Sequence, residues 1–410
     1  MTAPIPILII DNSFTFGGAI NSLRHLLRAF DQRRFSPVLV TGQSSEFLAA
    51  HFRCTWYHHV SKLPWVNDRV YRTLSSLPIF RLRLLRKILN GSRFLYWILF
   101  ISLPEALEYY RIGRKHRVAL VHLNNTLGSQ LSGIIAAKLL GVPCVAHLRD
   151  FETVDPLTCF YARLIDHHVA ISNAIKDNLR QLGVPEERIT IVHDAIDMEE
   201  FNTGVDCSNL LQEFNLSPAL PRYGIFGRVV DWKGIREFLH AARYVSDLIP
   251  DAKGFIVGGP SDGDEAFVRE MHRLTADLGL TEKVVFTGYR QDVPAMMKLM
   301  DVIVHASNSP EPFGMVIIEA MAMGKPVVAT RGGGPLDIVV EGESGILVEM
   351  GDSDALGRAV TSLLRQPDLA RRMGRRGRTR LEEAFSAGRY AAQMENIFQS
   401  FCLDPKCSAD

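Results

Sequence analysis

Two carboxylates bracket a short apolar run: Glu311 and Glu319, with Pro312-Phe313-Gly314-Met315 directly after the first. An apolar strand, Val302 to His305, precedes them and an apolar helical stretch follows, so the pair straddles a loop and a helix start at a strand C-terminal end. A helix beginning near Phe313 leaves the backbone N–H groups of Met315 and Val316 among its unpaired first-turn donors. With the helix dipole behind them, such groups can hold a phosphate. Carboxylates beside a diphosphate repel it, so their useful task is to accept hydrogen bonds from hydroxyls on either side, Glu319 from a ribose and Glu311 from a sugar. The same residues also spell a proline-initiated helix with an acidic first turn, which has no chemistry. The spacing alone leaves both readings open.

Positioning such a loop requires a sheet. Short apolar runs recur along the chain, each followed by helical periodicity, the pattern of parallel strands joined by crossover helices. One set comprises Ile7 to Ile10, Pro37 to Val40, Val118 to Leu123, Val142 to His147 and His168 to Ile171, with one helix face marked by Ile20, Leu23, Leu27 and Phe30 and helices around Gly128 to Leu140 and Asn173 to Leu182, the last with Asn173 as its expected N-cap. A second set runs through Tyr223 to Phe226, Gly254 to Val257, Val284 to Thr287, Val302 to His305, Pro326 to Ala329 and Ile346 to Val348. A connector rich in turn-formers and acids, about Asp194 to Ala219, separates them. With 410 residues, two domains are expected: 1–193, with a C-terminal helix 386–402 packing back on it, and 194–385. Continuous apolar strands mean sheets covered on both faces, an α/β class of two doubly wound, Rossmann-like domains. Their ligand loops lie at strand C-terminal ends, facing a shared cleft.

At this point the chain resembles the glycosyltransferase family 4 enzymes of the GT-B fold. Their signature is a Glu, seven residues and a second Glu, with Phe-Gly between. The resemblance extends to Gly227-Arg228-Val-Val-Asp-Trp-Lys233-Gly, Phe286-Thr-Gly-Tyr, Gly324-Lys-Pro-Val-Val-Ala, Gly332-Gly-Gly-Pro and Glu341-Gly-Glu-Ser-Gly345. Several motifs in one order are more specific than any one of them. The family implies retaining transfer from a nucleoside diphosphate sugar, with no metal and no prosthetic group.

The resemblance also distributes roles. Arg228 and Lys233 follow a strand end, where two fixed cations stabilise a departing diphosphate more in the transition state than in the ground state; unaided, they read as solvated surface. Gly17 and Gly18, between the first strand and its helix, match a family glycine pair facing donor phosphates or acceptor, although a plain tight turn fits equally. His147, ending a strand, resembles the family position that contacts the donor sugar; the alternative is a buried structural histidine. Arg149 joins it, unless it pairs with Asp150 and only shapes the loop. Loops after Val257 (Gly258) and from Tyr289 to Val293 are expected at the base. Phe313, Gly314, Met315, Val316 and Glu319 complete the donor site. The resemblance further implies that retention comes from acceptor attack on the face the diphosphate leaves, whose own oxygen takes the proton; the motif itself offers no obvious protein nucleophile of the kind glycoside hydrolases use. Where many family members carry Asn-Gly-Val-Asp, this chain has His193-Asp194-Ala195-Ile196-Asp197, which removes an easy left-handed turn.

Composition narrows the remainder. A formal charge of +1 argues against nucleic-acid affinity carried by the whole surface. The six cysteines form neither a zinc pattern nor a disulfide framework and fit a reducing cytoplasm; no signal peptide or membrane-spanning run is expected. Two Asp-x-Asp pairs, Asp262/Asp264 and Asp352/Asp354, can hold magnesium or manganese against a diphosphate, but both precede helical stretches where Asp is an ordinary cap. Between Arg69 and Pro104 stand seven basic residues and no acid, leading into Phe94-Leu-Tyr-Trp-Ile-Leu-Phe-Ile-Ser-Leu. This composition fits peripheral contact with an anionic membrane on the cytoplasmic face, or an insertion whose apolar run packs internally. The expected function is hexosyl transfer from a nucleoside diphosphate sugar, UDP before GDP-mannose, to a glycan or lipid-linked acceptor of the cell surface. A phosphorylase, an epimerase or a non-enzymatic sugar binder on the same fold are the alternatives.

Overall fold

A computed structural model describes residues 3–11, 17–44, 48, 52, 54–58, 94–260 and 263–402. The chain divides into two compact units: Met1–Ala170 with Ile175–Val192 and Ala391–Asp410, and Ile171–Ala174 with His193–Tyr390. Each is built on one parallel sheet, so the fold is α/β with two Rossmann-like units.

The first sheet contains β1 (Ile5–Asp11), β2 (Phe35–Thr41), β3 (Thr55–His58), β4 (Leu120–Asn124), β5 (Cys144–Leu148), β6 (His167–Ala170) and β7 (Ile189–Ile191), in the order β3-β2-β1-β4-β5-β6-β7. Ile7, Leu8, Ile9 and Ile10 are all fully buried, as a central strand covered on both faces requires. The C-terminal helix Ala387–Cys402 closes part of this core from Ala391 onward. Phe398 meets Phe30 and Phe35 at 6.1 and 6.3 Å between ring centroids, and Glu395 accepts from the Asp31 N–H and the Arg34 guanidinium at 2.8 and 2.9 Å. Burial of a phenylalanine such as Phe398 stabilises by roughly 2–3 kcal/mol.

The second sheet contains β8 (Arg222–Phe226), β9 (Lys253–Val257), β10 (Val284–Gly288), β11 (Val302–His305), β12 (Val327–Arg331) and β13 (Ile346–Glu349), in the order β10-β9-β8-β11-β12-β13. The order reverses between β8 and β11, the place where a doubly wound sheet opens a crevice at its strand ends. Ile235, Phe238, Leu239 and Val245 of the helix Ile235–Leu248 pack on one face with Tyr223, Ile225 and Ile256.

Three expectations change. The segment Asp194 to Ala219 is not a free connector: Ala195, Ile196, Phe201, Leu210 and Leu216 are buried, and it carries the helix Ser208–Glu213. Asn173 is the first residue of the helix Asn173–Gln181 and not its cap; its backbone and side-chain amides donate to Asp337 of the same unit at 2.7 and 2.9 Å. The edge strands β3 and β7 are additional, four and three residues long, too short to show periodicity.

Candidate active site

The chemistry-bearing residues of the second unit gather at the C-terminal ends of β8, β11 and β12. Lys233 closes a single 3₁₀ turn, Asp231–Lys233, after β8. The turn is fixed by Gly234, whose φ is 73° and where a Cβ would lie 1.7 Å from the Ala306 carbonyl oxygen, so no other residue fits. The Asn308 N–H donates to the Trp232 carbonyl at 3.0 Å, and the Lys233 ammonium lies 4.1 Å from the Trp232 ring centroid, a cation–π distance.

The Glu311 loop is strapped from the other side by the glycines after β12. The Gly334 N–H donates to the Glu311 carbonyl at 2.8 Å and the Glu311 N–H to that of Gly332 at 3.3 Å. A Cβ on Gly333, where φ is 73°, would sit 2.0 Å from the Glu311 carbonyl oxygen. The Gly-Gly-Gly run therefore sets where the Glu311 main chain stands.

That carboxylate is buried and crowded with donors. The Lys233 Nζ lies 2.8 Å from each oxygen. The Ser307 hydroxyl donates to Oε2 at 2.8 Å, and His305 Nε2 is 3.3 Å from the same oxygen. Burial favours the neutral acid, but the His305 hydrogen bond and the Lys233 charge outweigh it and hold the Glu311 carboxyl well below the usual range.

Glu319 sits one turn into the helix Met315–Ala322 and contrasts with it. Burial pushes its carboxyl up to about 7, against the opposing pull of Lys233. The residue is half-buried by surface area while its carboxyl group is densely surrounded, and that local crowding moves the proton affinity. Among the described residues its carboxylate makes no hydrogen bond or ion pair. The helix begins at Gly314, an N-cap with φ 109° and no side-chain cap bond. The Met315 and Val316 N–H groups find no partner among the described residues, as a phosphate-ready helix start requires. Phe313 is buried and stacks on His193 at 5.9 Å, so its side chain anchors the helix start from beneath.

Arg228 is exposed in the loop after β8. Gly258 donates its N–H to the Gly288 carbonyl at 3.1 Å. Tyr289 is 74% exposed past β10, and Val293 opens the helix Val293–Leu299. In the first unit, Gly17 caps the helix Gly18–Ala29 in an extended conformation, φ −159°. A Cβ there would meet nothing within 4 Å, so protein packing does not require glycine at Gly17. His147 is fully buried, contrary to the orientation expected of a sugar contact. Burial, then the neighbouring Arg149 and His122, hold its imidazole neutral by lowering its pKa well below the ordinary value. Arg149 is also buried. Its guanidinium donates to Asn124 at 2.8 Å and approaches His147 Nδ1 at 3.4 Å, while Asp150 accepts the Phe151 N–H instead. Asn124 in turn donates to Asp11 at 2.5 Å, so the ends of β1, β4 and β5 are tied by one buried polar network. Asp352 is a helix cap, accepting from the Ala355 N–H at 2.8 Å; Asp262 lies outside the described residues.

Sequence reasoning did not single out His305, Ser307 or Thr330. His305 reads as the last residue of an apolar strand and Ser307 as loop filler. The only signal for these two is position, within six residues of Glu311 at the same strand end; Thr330 lies on the neighbouring strand β12 and carries no such signal.

Known proteins place this site in a family. Residues 16–200 match the family described as Glycosyltransferase Family 4, and residues 212–380 that described as Glycosyl transferases group 1. The 2-deoxystreptamine glucosyltransferase of Streptomyces kanamyceticus is 30% identical over 303 residues, covering 68% of this chain and 76% of its own. An Escherichia coli enzyme, UDP-Gal:alpha-D-GlcNAc-diphosphoundecaprenol alpha-1,3-galactosyltransferase, is 26% identical over 65% of this chain and 71% of its own. The solved structure of Anabaena HepE in complex with UDP-glucose superposes with a TM-score of 0.78 at 22% identity, covering 97% of this chain and 100% of the other. The chain belongs to the group 1, family 4-like glycosyltransferases of GT-B fold.

Proposed function

We propose that the chain transfers a hexose-type residue, with retention, from a nucleoside diphosphate sugar to a glycan or lipid-linked acceptor in cell-surface polysaccharide or glycolipid synthesis. One observation carries this reading: an ion-paired Glu311, an unpartnered Glu319 and an open helix start lie together at the strand ends of one unit. The Met315 and Val316 N–H groups, with Lys233 and Arg228, take the diphosphate. Glu319 accepts from the ribose and Glu311 from the sugar. Leaving-group stabilisation then rests on cations of the chain itself, without a metal.

Glu311 is a poor acid or nucleophile in this setting, because its charge is already bound by Lys233 at 2.8 Å. That favours same-face attack, with a diphosphate oxygen taking the acceptor proton. A UDP-sugar is the preferred donor and GDP-mannose the next. The Anabaena structure holding UDP-glucose and the E. coli relative named for UDP-Gal and a diphosphoundecaprenol-linked sugar both support the preference. A lipid-linked acceptor suits peripheral contact with an anionic membrane on the cytoplasmic face. Residues 69–93, with the basic cluster, lie outside the described residues. Among residues 94–107, Leu95, Leu99, Phe100 and Leu107 are exposed while Ile101 and Ala106 are buried, an apolar stripe available to a headgroup layer. No described helix is long and apolar enough to cross a membrane.

Thermal shift against nucleoside diphosphates and their sugars, with and without excess chelator, tests the donor. A ligand at about one hundred times its Kd stabilises by roughly 2.7 kcal/mol. The largest rise is expected with a UDP-sugar, unchanged by chelator. No shift with any compound overturns the proposal.

A further inference from the structure

The donors around Glu311 leave one side chain unexplained. His305 ends β11 and is 3% exposed, and both its ring nitrogens face oxygen. Nε2 lies 3.3 Å from Glu311 Oε2 and 3.3 Å from Ser307 Oγ; Nδ1 lies 3.4 Å from Thr330 Oγ1. The two hydroxyls have shorter bonds elsewhere. Thr330 donates to the Ser307 carbonyl at 2.8 Å, and Ser307 donates to Glu311 at 2.8 Å. With those protons placed, each ring nitrogen faces only lone pairs.

A neutral imidazole has one N–H and one lone pair. With the proton on Nδ1, the Nε2 lone pair opposes the Glu311 carboxylate. With it on Nε2, the Nδ1 lone pair is met only if the Thr330 hydroxyl turns away from the Ser307 carbonyl at 2.8 Å to reach it at 3.4 Å, which gives up the shorter bond and leaves that carbonyl without this donor in a buried setting. Drawing the Ser307 proton over to Nε2 trades a 2.8 Å bond for one of 3.3 Å and still leaves nitrogen against carboxylate. A ring protonated on both nitrogens satisfies every contact.

We propose that His305 rests as an imidazolium, donating to Thr330 and to Glu311, and that it is the positioning residue that holds the Glu311 carboxylate in place. Among the described residues its polar contacts are Glu311, Ser307 and Thr330; Lys233 reaches it through the shared carboxylate. The cluster then contains two cations and one carboxylate. The charge in excess is positive, and it sits where the proposed reaction releases a diphosphate. Loss of His305 therefore acts on Glu311 and on the local field, and it does so without touching the base or ribose contacts.

Nuclear magnetic resonance of the full chain with ¹⁵N-labelled histidine, at neutral pH, tests the charge directly. Signals missing from His305→Gln identify the residue. Wild type is expected to show both nitrogens protonated, and Glu311→Gln a single neutral tautomer; a neutral tautomer in wild type overturns the proposal. The kinetic consequence rests on the transferase reading. His305→Phe should lower kcat about tenfold with donor KM changed less than about threefold. His305→Gln, which keeps an N–H toward Glu311 without the charge, should recover part of that loss. Wild-type kcat in His305→Phe overturns the positioning role. If wild type transfers no sugar from any donor, the reaction assignment fails and the spectrum still decides the charge of His305.

Discussion

Lys233 and Glu311 meet in a symmetric contact, the ammonium nitrogen 2.8 Å from both carboxylate oxygens. They are 78 residues apart in sequence and come together because the turn after β8 and the loop after β11 share one strand end. Breaking a pair this enclosed leaves a charge without compensation, at a cost of about 3–5 kcal/mol when fully buried and less here. Lys233→Met should therefore destabilise the chain by about 2–3 kcal/mol in urea unfolding. The double variant Lys233→Met, Glu311→Gln should lose less than the sum of the singles by about 1–2 kcal/mol. Strict additivity would mean that the contact carries no coupling.

Glu319 titrates in the opposite sense to Glu311. Its folded pKa is raised from the ordinary 4.5 to about 7, so between those values the folded chain binds more protons than the unfolded one. Its contribution to stability is full below 4.5 and is lost as pH rises through 7. Glu319→Gln should match wild type in Tm under acid conditions and exceed it above neutrality, by an amount on the order of 2 kcal/mol. Donor binding should show the mirror image. Ribose hydroxyls need the ionised acceptor, so wild-type donor affinity should rise as pH passes through 7 and the variant should lose that rise. A flat wild-type profile contradicts the assignment of Glu319 to the ribose.

Two glycines are predicted to behave differently. Gly234→Ala places a methyl 1.7 Å from the Ala306 carbonyl at φ 73° and should cost about 3 kcal/mol or more, with loss of transfer as Lys233 is displaced. Gly17→Ala faces open space, so its Tm should change by less than about 1 kcal/mol equivalent. Any fall in its activity then reports a ligand contact, and a stable, fully active Gly17→Ala returns that position to an ordinary turn.

The exposed stripe Leu95, Leu99 and Phe100 gives the membrane proposal a second handle beside the basic cluster. Changing the three to Ser should weaken binding to anionic liposomes, read by flotation, by about a hundredfold or more, since each large apolar side chain inserted contributes about 1–2 kcal/mol. Arg81, Arg83, Arg86 and Lys87 changed together to Gln should have a comparable effect that salt mimics in wild type. Equal recovery of both variants and wild type removes the proposal.

Most of the second unit was legible, because all six of its strands are apolar runs bounded by turn residues and the carboxylates stand beside one of them. The first unit was less so. β3 and β7 are too short and too mixed to carry a period. In the second unit, Asn173 has the residue type of a cap, and residue type cannot show that its own amides donate to Asp337, more than a hundred and fifty positions away. Within the site, charge type and strand-end position pointed to Lys233 and Glu311, yet nothing in the letters says that they pair in the resting molecule. His147 has the right type and the right strand end but is enclosed, a distinction only packing makes. His305 was passed over for the converse reason: an apolar strand hides a polar last residue.

The strap between Gly332–Gly334 and Glu311 works through main-chain bonds, so the Glu311 backbone takes its coordinates from backbone, and Lys233, Ser307 and His305 hold the carboxylate from behind it. Ser309 and Pro310, exposed immediately before it, are consequently interchangeable parts. Residues in those places can be varied, by selection or by an engineer seeking a new sugar, while the reacting geometry behind them keeps its datum.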